Sequence, residues 1–295
     1  MRDQTSEAER YAAPVSAKES QIMKYFPTLL LIAGLFSPIS APAHTTVLIP
    51  QLNKNGQKII KILHFHPVAG AGLMGIRLGV EDTRHLKGLE AVFLIHEKKA
   101  KDLNTAILPD YYTVRGERRE TYTLPVNKQS GFFKPGDYII VVRHKAHWKK
   151  SEGLYRQKVA KLYLNYFGVL TDWPDRVLKN MPEIVPLVQP YNVYAGSIFR
   201  AEAVNDKGER SPHARINIEY LNYALNDTKL ETTTAAGKIK EEIADSIVFT
   251  DGNGSFSFVP PKKGLWTFTL VNGDNNKFIQ GKKLEYDSSL SILVK

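Results

Sequence analysis

The sequence predicts an all-β protein with two β-sandwich domains. Past residue 44, short runs of β-branched and aromatic residues alternate with clusters of Gly, Pro, Asn and Asp, a pattern typical of strands joined by turns. In the same region, no segment keeps a helical period of apolar residues for more than three turns. The chain has no cysteine, so its stability is expected to come from packed cores rather than from disulfides.

The segment before the first strand is predicted to be a secretory signal peptide. It begins at Met23, has one basic residue, Lys24, and continues with an apolar run at 25–36 and the small residues Ala41-Pro42-Ala43. The apolar run is shorter than the roughly 20 residues that a transmembrane helix needs. Cleavage after Ala43 would make His44 the first residue of the mature protein. Residues 1–22 are polar and aperiodic, and we interpret them as a disordered stretch that arises from an upstream start site.

The first predicted domain covers residues 44–168. Its strand-like segments are rich in β-branched and aromatic residues: TTVLIPQ, KIIKILHFH, MGIRLGV, LEAVFLIHE, ETYTLPV, GDYIIVVRH and RQKVAKLYLNYFGV. In KIIKILHFH the apolar residues occupy both faces, which indicates a strand in a sheet that is covered on both sides.

A proline-rich connection is predicted at 169–193, and a second domain at 194–295. The prolines at 174, 182, 186 and 190 are expected to prevent regular strand pairing and to leave an extended crossover. In the second domain, turn signals at 206–208, 251–254 and 260–264 separate strand-like runs and predict hairpins. Both domains are therefore predicted to be sandwiches of the immunoglobulin- or prealbumin-like type.

The net charge of +10 belongs to the predicted mature chain, because the residues before His44 include four basic and four acidic side chains. The lysines are scattered and no recognition motif accompanies them, so nucleic acid is not an expected partner. An anionic membrane surface or an anionic protein is the expected partner for this charge.

Histidines are the candidate metal ligands, because the chain offers no thiolate. His64 and His66 lie two residues apart in a predicted strand and should point to one face. His144 and His147 follow a strong strand and converge if the chain turns there. A mature His44 would contribute its α-amine and its ring. The predicted metal residues are His44, His64, His66, His144 and His147, with Ni or Co as the ion and Cu or Zn as alternatives.

The remaining histidines, His85, His96 and His213, are expected to be structural or solvated. The chain has no glycine-rich phosphate loop, no supported Ser-His-Asp arrangement and no distinctive pair of carboxylates. We therefore expect a binding protein rather than an enzyme.

Several stretches resemble a known family. They are AH…VLIP after the signal, HFHPVAGAGLM, KPGDYIIVVRHKAHWKKSEGLYRQKVAKLYLNYFG, MPEIVPLVQPYNVYAGSIF and TDGNGSFSFVPPKKGLWTFTLVN. In this order they are similar to the periplasmic nickel/cobalt-uptake-associated family, across nearly the whole mature chain. The members of that family carry a conserved domain of formerly unknown function and are encoded beside energy-coupling-factor metal transporters.

The resemblance implies a two-domain periplasmic β protein of a Gram-negative bacterium that binds Ni or Co ions. It also implies an energy-coupling-factor-type transporter in the inner membrane as the partner. The family's amino-terminal His matches His44, its His-Pro matches His66-Pro67, and its aromatic-Trp pair matches His147-Trp148.

This chain departs from the family pattern at five positions. Cations occupy three where the family has an acidic residue or a histidine, namely Arg143, Lys149 and Lys158, and imidazoles occupy two where it has Pro and Tyr, namely His144 and His147. Three functions follow as hypotheses. They are a metal-binding accessory of uptake, a copper protein or oxidase that holds its ion through an amino-terminal histidine, and an interaction module that has lost metal binding.

Overall fold

A computed structural model describes residues 45–53, 55–65, 88–114, 117–220, 223–226, 229–232, 246–273 and 276–295. Within these ranges the chain is built from β-strands and contains no helix, as the sequence predicts. None of these residues forms a helix long and apolar enough to cross a membrane. The predicted signal peptide at 23–43 and the predicted strand at 74–80 lie outside the described residues.

The strands are numbered in chain order: β1 Thr45–Leu52, β2 Lys58–Phe65, β3 Leu89–His96, β4 Lys99–Asp102, β5 Leu108–Val114, β6 Glu117–Pro125, β7 Gly136–His144, β8 His147–Lys149, β9 Leu154–Tyr166, β10 Glu183–Pro186, β11 Phe199–Val204, β12 Arg215–Tyr220, β13 Tyr223–Asn226, β14 Lys229–Thr232, β15 Ser246–Phe249, β16 Ser255–Phe258, β17 Gly264–Gly273, β18 Phe278–Ile279 and β19 Lys282–Val294.

The strands form three main sheets. The largest, called the central sheet, has the order β15-β12-β17-β19-β9-β7-β3-β4, with β18 beside β19 and β8 beside β9. A second sheet, called the front sheet, has the order β1-β2-β6-β5-β14-β13. A third, called the back sheet, has the order β10-β11-β16.

The central sheet contributes to two apolar cores because successive side chains of a strand point to opposite faces. In β7, Ile139 and Val141 pack with residues of the back sheet such as Phe199. Ile140, which lies between them, points to the opposite face and packs with front-sheet residues such as Ile60. The long β-branched run of β7 is therefore buried on both sides, and so is the predicted two-faced strand β2.

The central sheet joins strands from both predicted domains. Strand β9, from the first, pairs in parallel with β19, from the second, over the register Leu284↔Tyr155 to Ser291↔Leu162. Residues 42–295 form one compact unit. The division at 169–193 stays a prediction, and the sheet runs across it.

The prediction that consecutive strands of the second half pair with each other as hairpins is wrong. Strand β11 pairs with β10 and β16 in the back sheet, whereas β12 pairs with β15 and β17 in the central sheet. The connections cross between sheets because the apolar faces of β11 and β12 are both buried in the same core. Thr250 stabilises the connection from β11 to β12. Its hydroxyl donates to the carbonyl of Ser211 and accepts from the backbone N–H of Ala214.

The proline-rich connection contains a paired strand, contrary to the prediction. Strand β10 runs from Glu183 to Pro186 and pairs with β11. Because β10 is an edge strand of the back sheet, a proline at its end removes no hydrogen bond from the sheet interior.

Candidate functional site

The start of β1 is fixed on the central sheet by polar side chains. The Thr45 hydroxyl lies 3.2 Å from a carboxylate oxygen of Glu219 and 3.2 Å from the hydroxyl of Thr269. The Thr46 hydroxyl lies 2.9 Å from Nε2 of His144, and its carbonyl accepts from the Ser289 hydroxyl at 3.0 Å. Both threonines are 1% exposed. The first described residues of the chain are therefore tightly held.

His144 ends β7 and lies in this polar interior, 8% exposed. Burial, followed by the charges of Lys158 and His147, lowers the pKa of the ring to about 3. Its imidazole is therefore neutral at neutral pH, which is the form that binds metal ions.

His147 begins β8, which pairs with β9 through His147↔Arg156. Its side chain is exposed, yet desolvation by its neighbours and the charges of Lys158, Lys149 and Arg156 lower its pKa to about 4. His144 and His147 lie on either side of the short connection from β7 to β8, and the charge of His147 contributes to the lowered pKa of His144.

Lys158 of β9 is the cation common to both histidines. It is 4% exposed and is opposite Asp287 of β19 in the register of the two strands. Burial lowers the pKa of its ammonium to about 7, against the opposing effect of Asp287. Burial therefore makes the charged form of this amine much less favourable than that of an exposed lysine.

An ion-pair network lies beside Lys158. Arg156 donates from Nη1 to both carboxylate oxygens of Asp287, at 2.9 and 3.1 Å. Its Nη2 reaches Glu152 at 2.5 Å and Glu285 at 3.3 Å. Contacts from Nη1 to both oxygens hold the Asp287 carboxylate in a defined orientation.

The other two cations that depart from the family pattern differ in position. Arg143 precedes His144 in β7 and therefore points to the opposite face, where Nε lies 3.1 Å from a carboxylate oxygen of Glu90. Lys149 lies in β8 and contributes to the lowered pKa of His147. Lys149 and Lys158, but not Arg143, thus belong to the histidine site.

The remaining predicted metal residues fall in two groups. His64 lies in β2, and its backbone is opposite Thr46 of β1, the residue whose side chain contacts His144. His44 and His66 lie outside the described residues. Among the residues that the structure describes, no group of three or more His, Asp or Glu side chains is arranged to hold a metal ion.

Two further histidines lie away from this site. The ring of His96 stacks on Tyr138 with centroids 4.2 Å apart, and its Nδ1 lies 2.9 Å from the carbonyl oxygen of Asp137, whereas its Nε2 is buried without a hydrogen-bond partner among the described residues. His213 is exposed on a connection and has a φ of 55°. Both fit the expectation that they are structural or solvated.

Sequence reasoning missed Glu219, Thr269 and Asp287, which are buried in the polar interior. In β19 polar residues recur at every second position, at 285, 287, 289 and 291. This alternation is a signal for a strand with one polar face. The alternation alone does not indicate whether the polar face of β19 is exposed to water or packs on another strand.

A separate cleft of about 570 Å³ lies at one end of the front sheet. Its polar lining comes from Asn53, Gln57, Lys58, Asp110, Thr123 and Asn127. Within this lining, Asp110 accepts from the Thr123 hydroxyl at 2.5 Å and is 3.1 Å from the buried ammonium of Lys61. Of the predicted metal residues that the structure describes, none lines this cleft.

Comparison with known protein families identifies one match. The model described as "Domain of unknown function (DUF4198)" matches residues 41–274, well over half of the chain. The chain belongs to the DUF4198 family. No curated protein matches the sequence.

The DUF4198 match covers β1 to β17, and so includes Thr45, His144, His147 and Lys158. Asp287 lies beyond it, in β19. The family description states no function, so the expected role in nickel or cobalt uptake rests on the motif resemblance alone.

Proposed function

We propose that this DUF4198 protein binds a divalent metal ion, Ni²⁺ or Co²⁺, at the start of β1 and assists its uptake by a membrane transporter. The observation that carries the proposal is the contact between Thr46 and His144, which fixes the start of β1 beside the neutral imidazole of His144. The resemblance to the nickel/cobalt-uptake-associated family supplies the transport role.

The chain connectivity supports His44 as a ligand. His44 is bonded to Thr45, and consecutive Cα atoms are about 3.8 Å apart. The residue next to this ligand, Thr45, is therefore held in place by its contacts with Glu219 and Thr269. After cleavage, its amine and ring would be two nitrogen donors, and His144 or His147 would supply further ones.

The donor set favours nickel or cobalt over magnesium or calcium. Imidazole and amine nitrogens suit the later first-row metals, whereas magnesium and calcium prefer oxygen ligands. Copper and zinc also accept nitrogen donors, so the same site would take them in the Irving–Williams order.

A second candidate is an interaction module without a metal. The observation that favours it is the position of Lys158, a buried amine within electrostatic reach of both imidazoles. A charged ammonium there opposes a divalent cation. In this alternative the buried polar groups serve to hold β1 on the central sheet.

Isothermal titration calorimetry separates the two candidates. The protein is produced with export and processing, and mass spectrometry verifies that it begins at His44. The metal-binding proposal predicts 1:1 binding of Ni²⁺ or Co²⁺ that weakens at least tenfold in His44→Ala and in His147→Ala. The matched control His213→Ala, which alters an exposed histidine, should bind as the unaltered protein does. Failure of nickel, cobalt, copper and zinc to bind would refute the proposal and favour the interaction module.

A further inference from the structure

An exposed apolar surface lies at the end of the molecule where β7 begins and β9 ends. Phe167 is 81% exposed, and Phe133, Val169 and Leu170 are 54%, 45% and 53% exposed. The pairing of Gly136 with Tyr166 brings the two segments that carry these residues out of the sheet side by side. We call these four residues the Phe167 surface.

Phe167 has an unfavourable backbone conformation. Its φ is 59°, in the left-handed region that disfavours side chains with a Cβ. Its ring adds little to either core, since it is mostly exposed. A bulky residue that is both strained and exposed, next to Gly168, points to a role outside folding.

The turn that carries Phe167 is held firmly. Asn165 accepts from the backbone N–H of Gly168 at 2.8 Å and donates to the carbonyl of Val169 at 2.6 Å. The Asp137 carboxylate accepts from the backbone N–H groups of Thr171 and Asp172, at 2.6 and 2.9 Å. The Phe167 surface is therefore presented in a fixed arrangement.

Lysines border the Phe167 surface. Lys58 lies 5.2 Å from the ring centroid of Tyr166, which neighbours Phe167, and Lys134 lies 5.9 Å from that of Phe133. The adjoining segments expose further lysines, namely Lys98, Lys99 and Lys128. Two exposed acidic residues of the described chain lie among them, with Glu97 3.7 Å from Lys134 and Asp175 3.5 Å from Lys98, whereas the Asp137 and Asp172 carboxylates are buried. Positive charge thus predominates around an apolar tip.

We propose that the Phe167 surface docks on an anionic lipid bilayer. Apolar side chains would enter the boundary between headgroups and acyl chains, and the lysines around them would meet anionic headgroups. A second copy of the chain fits less well, because a symmetric contact would place the lysines of one copy against those of the other. The net charge of +10 draws the whole protein toward such a membrane.

Vesicle sedimentation tests the proposal on protein whose amino terminus has been verified. We expect binding to vesicles of phosphatidylcholine and phosphatidylglycerol at 3:1, and at least tenfold weaker binding to pure phosphatidylcholine. Phe167→Gly suits the left-handed backbone, so it preserves the fold, and it should weaken binding about tenfold. Joint replacement of Lys58 and Lys128 by Gln should weaken it by a further order of magnitude.

The matched control is Phe249→Ala, at an exposed phenylalanine of edge strand β15. It should bind vesicles as the unaltered protein does. Absence of binding to the anionic vesicles would overturn the proposal. So would equal binding of the Phe167→Gly and Phe249→Ala variants, or a dimer in sedimentation equilibrium that Phe167→Gly abolishes.

Discussion

The two faces of strands β17 and β19, within the central sheet, differ in chemistry. Toward the back sheet, β17 and β19 bury Trp266, Phe268 and Leu290 in a continuous apolar core. Toward the start of β1, the same two strands bury Thr269, Asp287 and Ser289.

Apolar burial is sufficient to hold a sandwich together, and a buried polar group must be hydrogen-bonded to avoid a net cost. We therefore expect the functional residues on the face that buries these polar groups and carries His144. The predictions below test this difference between the faces.

The largest expected effect is on the apolar face. Phe268 is fully buried, and its ring lies 4.6 Å from that of Phe199 and 5.8 Å from that of Phe256. Phe268→Ala should lower the free energy of unfolding by about 3–5 kcal/mol through lost burial and a residual cavity. Urea denaturation followed by circular dichroism measures this. A loss below about 1 kcal/mol would show that this core is not the main source of stability.

The second prediction concerns acid and His144. The ring stays neutral in the folded protein down to about pH 3, whereas in the unfolded chain it takes up a proton near pH 6.5. Between these values the unfolded state binds more protons, so stability that is present above pH 6.5 is lost as the pH falls. From pH 6.5 to pH 5 this residue should lower the free energy of unfolding by about 2 kcal/mol.

Urea denaturation at each pH tests that expectation. His144→Gln should flatten the dependence of stability on pH between 6.5 and 5. The control His213→Gln should keep the original slope, because His213 is exposed. Identical slopes in the His144→Gln variant and the unaltered protein would contradict the neutral, buried state of His144.

A smaller effect is expected at Thr269, the residue after Phe268 and on the opposite face. Thr269→Val keeps the shape and removes the hydroxyl that lies 3.2 Å from that of Thr45. The free energy of unfolding should fall by about 1 kcal/mol, as is usual for one neutral hydrogen bond. The urea series used for Phe268→Ala gives this value directly. A loss as large as that of Phe268→Ala would mean that the polar face is as important to stability as the apolar core.

The smallest effect on stability is expected from Lys158→Met. The Asp287 carboxylate keeps its contacts with Arg156, so stability should change by less than about 1 kcal/mol. Loss of the ammonium should raise the pKa of His147 above about 4, while desolvation, the largest cause of the shift, continues to lower it. Titration of the histidine ring signals by NMR measures this, with His213 as the internal reference. An unmoved His147 signal would show that Lys158 does not act on the site.

Much of the strand content can be predicted from the sequence, for particular reasons. Strands β2 and β7 are dense runs of β-branched residues, and burial on both faces leaves no other regular structure for them. Strand β10 was missed because its flanking prolines argue against pairing, an argument that fails at a sheet edge. The hairpin predictions failed because a turn signal does not reveal whether the next strand joins the same sheet or the facing one.

The candidate site also has features that the sequence predicts and features that it does not. The three-residue spacing of His144 and His147 predicts their proximity, because it depends only on a local turn. The contacts of Thr45 with Glu219 and Thr269 join residues more than 170 positions apart, and no local pattern carries that information. The buried state of Lys158 likewise depends on strands far away in the sequence. All five histidines, His44, His64, His66, His144 and His147, stay predictions as metal ligands.

Paramagnetic NMR with Co²⁺ tests the central claim most directly, on protein that begins at His44 and carries ¹⁵N-labelled histidine. The proposed site predicts that one equivalent of Co²⁺ shifts or broadens the ring signals of His144 and His147, while those of His96 and His213 stay unchanged. Signals of His144 and His147 that do not respond to saturating Co²⁺, or a response confined to His213, would contradict a metal site at the start of β1.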